Sequence, residues 1–253
     1  MSISLARIYR YPVKGLTPEP LTRVAVAPGL GLPCDRRFAL AHGVTRFDPT
    51  EPAWMPKTNF LMLMKNERLA SLRTQYDERS GELTVMRAGS AAMSANVGDA
   101  SGRAVIERFF ASYMGVEADG APRLLEAPGH MFSDVARKVV SIIGLASVRE
   151  LERVIGHPVD PRRFRANFYL EGCAAWQEFD WVERGFRIGD VRLRGVKPIK
   201  RCAATNVDPE TAARDLNIPQ ALSESFGHVH MGIYADVLDE GTVALGDPLL
   251  PPY

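Results

Sequence analysis

The sequence is poor in cysteine and has no long apolar segment. Cys34, Cys173 and Cys202 are the three cysteines among 253 residues, an odd number without paired spacing, so a disulfide framework is not expected. Three thiols are also fewer than the four that usually hold an iron–sulfur cluster. No apolar run approaches the roughly 18 residues needed to cross a bilayer, and the first residues do not form a secretory signal. We therefore expect a cytoplasmic protein without a membrane span.

An excess of charge of either sign is also missing. The chain has 31 Lys and Arg residues against 30 Asp and Glu residues, a net charge of +1, which argues against a general affinity for nucleic acid. Gly29-Leu30-Gly31 lacks the third glycine and the following helix of a dinucleotide fingerprint. No other flavin, nicotinamide or pyridoxal phosphate motif is found. Any anion site must therefore be built from locally clustered cations.

Short strands fill the first hundred residues, separated by turns rich in glycine and proline. Such closely spaced runs predict a sandwich or a barrel. The predicted strands cover residues 3–13, 23–27, 37–42, 60–64 and 82–87, and a connector covers 88–103.

The rest of the chain mixes strands with three predicted helices. The first follows a cap at Ser101, the second starts at a capping box of Ser147 and Glu150, and the third starts near Pro219. Further strands are predicted at residues 139–143, 164–170, 185–188, 191–196, 228–238 and 242–245. The pattern predicts a β-rich α+β fold, with an N-terminal β domain over residues 1–95 and a β-barrel domain with a few peripheral helices over 96–253.

Cys202 carries the clearest chemical signal. It follows Lys200 and Arg201 and precedes the turn Asp208-Pro209. Neighbouring cations stabilise a thiolate over a thiol, and the thiolate is the form that binds soft metals or attacks electrophiles. The alternative is the ordinary one for a free cysteine, a small buried apolar residue. Thr205 and Asp208 are expected to fix the loop, Asp208 through backbone amides of the turn, and both are also candidates for a proton donor or relay.

Cations also recur where predicted strands begin or end. Arginine suits phosphate because its planar guanidinium donates two parallel hydrogen bonds. If these side chains converge, they form an anion pocket in a nearly neutral protein; otherwise each is a solvated charge at a strand end. The set is Lys14, Arg36, Arg37, Arg162, Arg163, Arg165, Lys197, Lys200 and Arg201.

Six stretches, including the closing strands at residues 241–249, resemble the MOSC domain family, named for the C-terminal domain of molybdenum cofactor sulfurases, which includes the mitochondrial amidoxime-reducing component and its bacterial relatives. The most specific is Arg-Cys-x-x-Thr-x-x-Asp-Pro-x-Thr at residues 201–211. Two stretches depart from the family pattern: residues 11–15 lack its serine after Lys14, and residues 163–167 have alanine for its proline. Residues 35–38 (Asp-Arg-Arg-Phe) and, more weakly, 132–134 (Phe-Ser-Asp) are also similar.

The resemblance implies a MOSC N-terminal β-barrel domain, a MOSC domain and a molybdenum cofactor, that is, molybdenum held by molybdopterin. Cys202 would ligate the metal, and Cys202 and Asp208 are the implied catalytic residues. Arg37 is preferred to Arg36 because it directly precedes Phe38. The implied cofactor contacts are Lys14, Arg37, Ser133, Arg165, Asn167, Lys200, Arg201 and Thr205.

The implied activity is reduction of small N-hydroxylated compounds, such as amidoximes or other N-oxygenated molecules. Because no ferredoxin module is expected after Pro248, electrons would come from a separate donor protein of ferredoxin, flavoprotein or cytochrome type. No iron–sulfur cluster, flavin or pyridoxal phosphate is expected in this chain.

Three alternatives stay open at this stage. One is a carrier that binds the cofactor, or sulfur as a persulfide on Cys202, without turnover. Another is a zinc site of Cys202 with His228 and His230, which lie two residues apart on a predicted strand. The third is a hydrolase with a cysteine nucleophile, for which no His–Asp pairing is evident.

Overall fold

A closed β-barrel built mainly from the second half of the chain dominates the computed structural model, which describes residues 2–251. Its strands alternate inward apolar side chains with outward polar ones, the pattern of a filled barrel. In this described part of the chain the strands are β1 (Ile3–Arg10), β2 (Glu19–Leu21), β3 (Arg23–Val26), β4 (Ala39–Ala41), β5 (Leu72–Asp77), β6 (Glu82–Arg87), β7 (Ser90–Asn96), β8 (Arg123–Leu125), β9 (Val140–Gly144), β10 (Phe168–Glu171), β11 (Gly185–Ile188), β12 (Val191–Lys200), β13 (His230–Val237), β14 (Gly241–Ala244) and β15 (Pro248–Leu250).

The barrel closes through a strand from the start of the chain. Its order is β10-β9-β13-β12-β11-β15-β1, and β10 pairs again with β1. Seven strands of residues 2–251 thus form the ring, and β2 extends it as a flap. Phe168, Phe186 and Ile233 fill the interior and are fully buried. The predicted β-rich α+β fold with a barrel and few helices is confirmed.

Strand β12 shows how the sequence sets the barrel wall. Val191, Leu193 and Gly195 face inward, and the residues between them are exposed. Gly195 allows a close approach, because a Cβ there would lie 2.1 Å from the carbonyl oxygen of Trp181. After Gly195 the pairing of β12 with β13 shifts register twice. Such bulge-like irregularities bend a strand locally.

The first half forms a second apolar core beside the barrel. β5, β6 and β7 make an antiparallel meander, and Leu72, Val85, Ile106 and Phe110 pack together in its core. β3 pairs with β14, which ties the two halves together. The domain boundary predicted between residues 95 and 96 stays a prediction.

The three helices found within residues 2–251 lie on the periphery, where the sequence predicts them, but two of their starts were wrong. They are α1 (Ala100–Met114), α2 (Leu145–Ile155) and α3 (Ile218–Phe226). Asp99, not Ser101, caps α1 and accepts a hydrogen bond from the Gly102 amide at 2.5 Å. α2 begins before the predicted capping box, so Ser147 lies inside the helix and its hydroxyl donates to buried Glu178.

Three strand predictions also need correction. Residues 60–64 form a turn after a short 3-10 helix at Lys57–Asn59, with a single bridge from Phe60 to Ala41. Residues 88–103 contain β7 instead of a simple connector, because alternation there is hidden by small residues. Residues 161–164 form a 3-10 turn, which delays the strand predicted at 164–170 until Phe168. No helix in residues 2–251 is both long and apolar enough to span a membrane.

Candidate functional site

Cys202 lies where β12 ends and a short 3-10 helix, Ala203–Asn206, begins. Its side chain is half-buried. The Thr205 hydroxyl donates to the Cys202 carbonyl oxygen at 2.9 Å, and the Thr205 amide donates to the same oxygen at 3.0 Å. Buried Thr205 therefore fixes the turn that holds the thiol.

Asp208 closes the same loop. Its Oδ1 accepts hydrogen bonds from the amides of Glu210 at 2.9 Å and Thr211 at 2.8 Å. Partial burial raises the pKa of Asp208, but the hydrogen bonds from these amides outweigh that effect and lower it. The carboxylate is thus engaged in the turn, the role expected from the Asp-Pro sequence.

Arg163 holds this loop in place through hydrogen bonds. The sequence did not distinguish it from the neighbouring arginines. Its Nη2 donates to Asp208 at 2.8 Å and to Asp215 at 2.7 Å, and its Nη1 donates to the Asn206 carbonyl oxygen at 3.1 Å. The side chain is 2% exposed. Among the described residues its Nε finds no acceptor. One guanidinium therefore joins the 3-10 turn before β10 to the loop that carries Cys202.

Two guanidinium groups lie over the buried ring of Tyr11. Arg165 is 4.3 Å and Arg36 is 4.8 Å from the ring centroid. Arg36 pairs with Asp35, whose Oδ1 also accepts from the Tyr11 amide at 2.8 Å, and Arg36 Nη2 donates to the Arg165 carbonyl oxygen at 2.9 Å. Burial lowers the pKa of Arg165 to about 10. The two cations thus share one desolvated corner with a single aromatic ring.

Lys14 approaches the same corner. Its Nζ donates to the Phe132 carbonyl oxygen at 3.0 Å and pairs with Asp134. Burial lowers the pKa of Lys14; Asp134 opposes this, while Arg36 and Arg165 add to it. For Asp134, partial burial raises the pKa, but the Lys14 ammonium dominates and lowers it to about 2. Lys14 therefore pairs with Asp134 and lies close to two further cationic side chains, Arg36 and Arg165.

Arg201 brings a further guanidinium next to Cys202. Its Nε and Nη2 donate to the Met231 carbonyl oxygen at 3.0 and 2.6 Å, and its Nη1 donates to that of Phe164 at 2.9 Å. Burial lowers the pKa of Arg201, and the surrounding tyrosines and Cys202 offset this only in part. Its charge is held by neutral carbonyl groups instead of a carboxylate.

Lys57 completes the set from the first half of the chain. Burial lowers the pKa of Lys57, but the charge of Cys202 and a hydrogen bond to its thiol outweigh this and raise it. The loop is held in place by Trp54, whose Nε1 donates to the Ser133 carbonyl oxygen at 3.3 Å. No sequence motif marks Lys57, because the contact joins positions 145 residues apart.

Positive charge exceeds negative charge in this group of side chains. We call Lys14, Arg36, Lys57, Arg165 and Arg201 the cationic cluster. Among the described residues the carboxyl groups that act on it are Asp35 and Asp134, together with Glu178, which acts on Arg201, so the five cations outnumber the carboxyl groups. Buried charge without a counter-charge is costly. The arrangement therefore favours an anionic ligand beside Cys202.

Several predicted cofactor residues lie elsewhere. Arg37 points away from the cluster: its side chain is 43% exposed and pairs with Glu126 at 2.7 Å. Arg36, which the sequence motif ranks below Arg37, belongs to the cationic cluster. Both arginines precede β4, and Arg36 lies in a turn with a left-handed φ of 51°, so the two neighbouring side chains leave the backbone toward different partners, Asp35 for Arg36 and Glu126 for Arg37. Lys200 is exposed on the outer face of β12.

Asn167 and Ser133 are used by the backbone. Asn167 Oδ1 accepts from the Ser141 amide at 3.0 Å and its Nδ2 donates to the Tyr9 carbonyl oxygen at 3.1 Å. The Ser133 hydroxyl accepts from the Val135 amide at 3.4 Å. Asn167 thus connects β9 to β1, and Ser133 stabilises the loop that contains Phe132 and Asp134, the partners of Lys14. Both residues therefore support the backbone around the site.

The histidine pair does not join Cys202 in a metal site. The His228 and His230 rings are 5.8 Å apart, and His228 packs against Trp176 at 5.4 Å. In residues 2–251 no group of three or more His, Cys, Asp or Glu side chains is arranged to hold a metal ion. Cys173 is buried, and burial raises its pKa to about 11.

The structure thus combines a barrel, a half-buried thiol at a strand end and a partly buried cationic cluster. Comparison with models of known protein families agrees with the resemblance described in the sequence analysis. The MOSC N-terminal beta barrel domain matches residues 2–121, and the MOSC domain matches residues 127–250. The chain belongs to the MOSC family.

Relatives match part of the chain. Mitochondrial amidoxime-reducing component 1 of Mus musculus is 30% identical over 120 residues, which cover 43% of this chain and 35% of that protein. Mitochondrial amidoxime reducing component 2 of Bos taurus is 30% identical over 44% of this chain and 36% of its own. Molybdenum cofactor sulfurase of Homo sapiens is 33% identical over 35% of this chain and 10% of that protein. The chain therefore spans about a third of the first relatives.

Solved structures show distant likeness. The YuaD protein from Bacillus subtilis is 13% identical, with 98% of this chain and 94% of that chain covered and a TM-score of 0.44. YiiM from Geobacillus stearothermophilus is 21% identical, with 45% and 54% covered and a TM-score of 0.36. Scores this low add nothing to the family assignment.

Proposed function

We propose that this chain binds a molybdenum cofactor between its two halves and reduces small N-hydroxylated or other N-oxygenated compounds. The observation that carries the proposal is the excess of positive charge beside the Cys202 thiol. Relatives named amidoxime-reducing components support the choice of reaction. Electrons would come from a separate donor protein, and we propose a cytoplasmic location.

The donor set fits the cofactor's chemistry. A molybdopterin carries a phosphate and a dithiolene, both anionic, and a soft thiolate suits molybdenum as a protein ligand. Cys202 would supply that ligand. Lys14, Arg36, Arg165 and Arg201 would hold the phosphate and the pterin. When bound, the cofactor would supply the two-electron chemistry that reduces an N–O bond.

The protein's own residues would orient and charge the site. Arg165 Nη1 donates to the Leu16 carbonyl oxygen at 2.6 Å, and a guanidinium has five N–H donors, so others remain for a phosphate oxygen. Lys57 would hold a proton at Nζ beside the sulfur. Asp208 and Thr205 would keep the loop of Cys202 in place through the hydrogen bonds described above.

Metal content and turnover test the proposal together. Protein produced in a host that makes the cofactor should contain about one molybdenum per chain and reduce benzamidoxime to benzamidine with reduced methyl viologen. Cys202→Ser should lose both. Cys34→Ser, which removes another half-buried thiol, is the matched control and should keep both.

Two outcomes would contradict parts of this proposal, the first the reductase activity and the second the role of Cys202. Full molybdenum content without reduction of any N-oxygenated compound would favour the carrier, a reading supported by the relatives named molybdenum cofactor sulfurase. Molybdenum retained in full by Cys202→Ser would remove the thiol from the metal site.

A further inference from the structure

The outer face of β12 carries cations that have no partner. Arg194, Lys197 and Lys200 are exposed, and within residues 2–251 none of their side chains takes part in an ion pair or a hydrogen bond. We call these three residues the β12 ridge. Some other exposed arginines are paired, as Arg149 is with Glu171 and Arg153 with Glu150, whereas the ridge places three cations without a partner among the described residues on one face of one strand. The ridge is therefore a local excess of charge in a chain of net charge +1.

The register of β12 keeps the ridge on one side. Leu193, Gly195 and Ile199 are buried on the inner face. The register shifts between Gly195 and Lys197, and between Pro198 and Lys200, compensate for the odd spacing of the basic residues. Without them the two-residue period would turn one lysine into the barrel.

The ridge leads to the candidate site. Lys200 lies six positions after Arg194, about 20 Å along an extended strand. Lys200 precedes Cys202 by two residues. The carboxylate that could neutralise the ridge from β13, Asp236, lies opposite Arg194 but pairs with Arg137. Cations thus line a path from the barrel wall to the thiol.

We propose that the β12 ridge docks a small acidic protein that carries single electrons, with its redox centre presented at the Lys200 end. This inference rests on the proposed function, since it names the partner of that site. Charge complementarity selects the occupant: an exposed, unpaired cationic strip steers an acidic partner and binds it transiently. Two encounters deliver two electrons, which with two protons convert N–OH to N–H and water while two carrier molecules are oxidised.

The test compares a protein donor with a small one. The holoenzyme is assayed with an acidic [2Fe–2S] ferredoxin, an acidic flavodoxin and reduced methyl viologen. The double variant Arg194→Gln/Lys197→Gln should lose about tenfold in rate with the preferred carrier at low salt, and its rate should depend less on salt. Its viologen rate should not change. The matched control Arg23→Gln/Arg108→Gln removes two exposed cations elsewhere and should behave as wild type with every donor.

The outcomes separate the two proposals. If both double variants show equal carrier-driven rates, the ridge is not the docking site, whereas viologen-driven turnover would leave the reductase standing. If viologen gives no turnover, calorimetric titration of the carriers at low salt tests the ridge alone. Binding that is weakened in the ridge variant and not in the control supports the ridge, and binding by neither carrier overturns it.

Discussion

At the scale of a single residue, Glu178 has an environment that sets a pH dependence. The carboxyl is fully buried, accepts from the Ser147 hydroxyl at 2.9 Å and from the Gly144 amide at 3.2 Å, and lies beside Cys173. Burial raises its pKa to about 7. The sequence around Glu178 gives no sign of this, because the carboxyl is enclosed by residues far along the chain, including Gly144 and Ser147.

Replacing Glu178 should remove a pH-dependent term from the free energy of unfolding. Between the unfolded pKa, about 4.3, and the folded pKa of about 7, the folded state holds a proton that the unfolded state has released. Stability should therefore fall as pH rises through this window, by up to about 4 kcal/mol, and level off above it.

Urea unfolding at several pH values between 4 and 8 measures this slope. Glu178→Gln should flatten it, since the amide keeps the hydrogen bond from Ser147 and does not titrate. Glu51→Gln, at an exposed position, should follow wild type. A wild-type slope that survives in Glu178→Gln would show that other groups cause it.

At the scale of an element, the loop after β12 owes its shape to a contact from another part of the chain. Sequence reasoning predicted that Thr205 and Asp208 fix this loop, and their hydrogen bonds do so, because both act within a few residues. The role of Arg163 could not be read in the same way. It lies 39 residues before Cys202, and three arginines within four positions offered no means of telling which one turns inward.

Arg163→Met should loosen the Cys202 loop and lower the free energy of unfolding by about 2 kcal/mol. Removing one member of a buried ion pair costs about 3–5 kcal/mol, and the exposure of Asp215, at 45%, reduces this. Arg162→Met, which breaks half-exposed pairs with Asp160 and Glu210, should cost under about 1 kcal/mol. Urea unfolding of the two variants gives the comparison, and equal losses would rule out the anchoring role.

At the scale of the whole molecule, the barrel and the cationic cluster both need the two halves of the chain. β1 lies between β10 and β15 in the ring, so the first residues complete the second domain's sheet. Lys14, Arg36 and Lys57 come from the first half, whereas Arg165 and Arg201 come from the second. The cluster therefore exists only once the halves are docked.

The excess positive charge of this cluster predicts that anions stabilise the protein when the cofactor is missing. Inorganic phosphate should raise the melting temperature of cofactor-free protein above that in sodium chloride of equal ionic strength, because binding to the folded state stabilises it. Arg36→Gln should lose most of this increase. Arg37→Gln should keep it, because that side chain pairs with Glu126 outside the cluster.

Differential scanning fluorimetry against phosphate concentration measures the effect. Equal responses of the Arg36 and Arg37 variants would mean that the cluster is not the anion site. This comparison also separates two neighbouring arginines between which the motif alone could not choose.

The sequence by itself determined the family and the mainly β architecture, because motif spacing and alternating apolar residues are local properties of the chain, and the same motif singled out Cys202 as the candidate ligand. It also determined the turn held by Thr205 and Asp208. Only the tertiary structure decided that Arg36 instead of Arg37 enters the cluster, that Lys57 meets the thiol, and that Arg163 anchors its loop. These outcomes depend on which distant segments pack together and on the face each side chain then presents, and burial and electrostatic energy are fixed only at that stage.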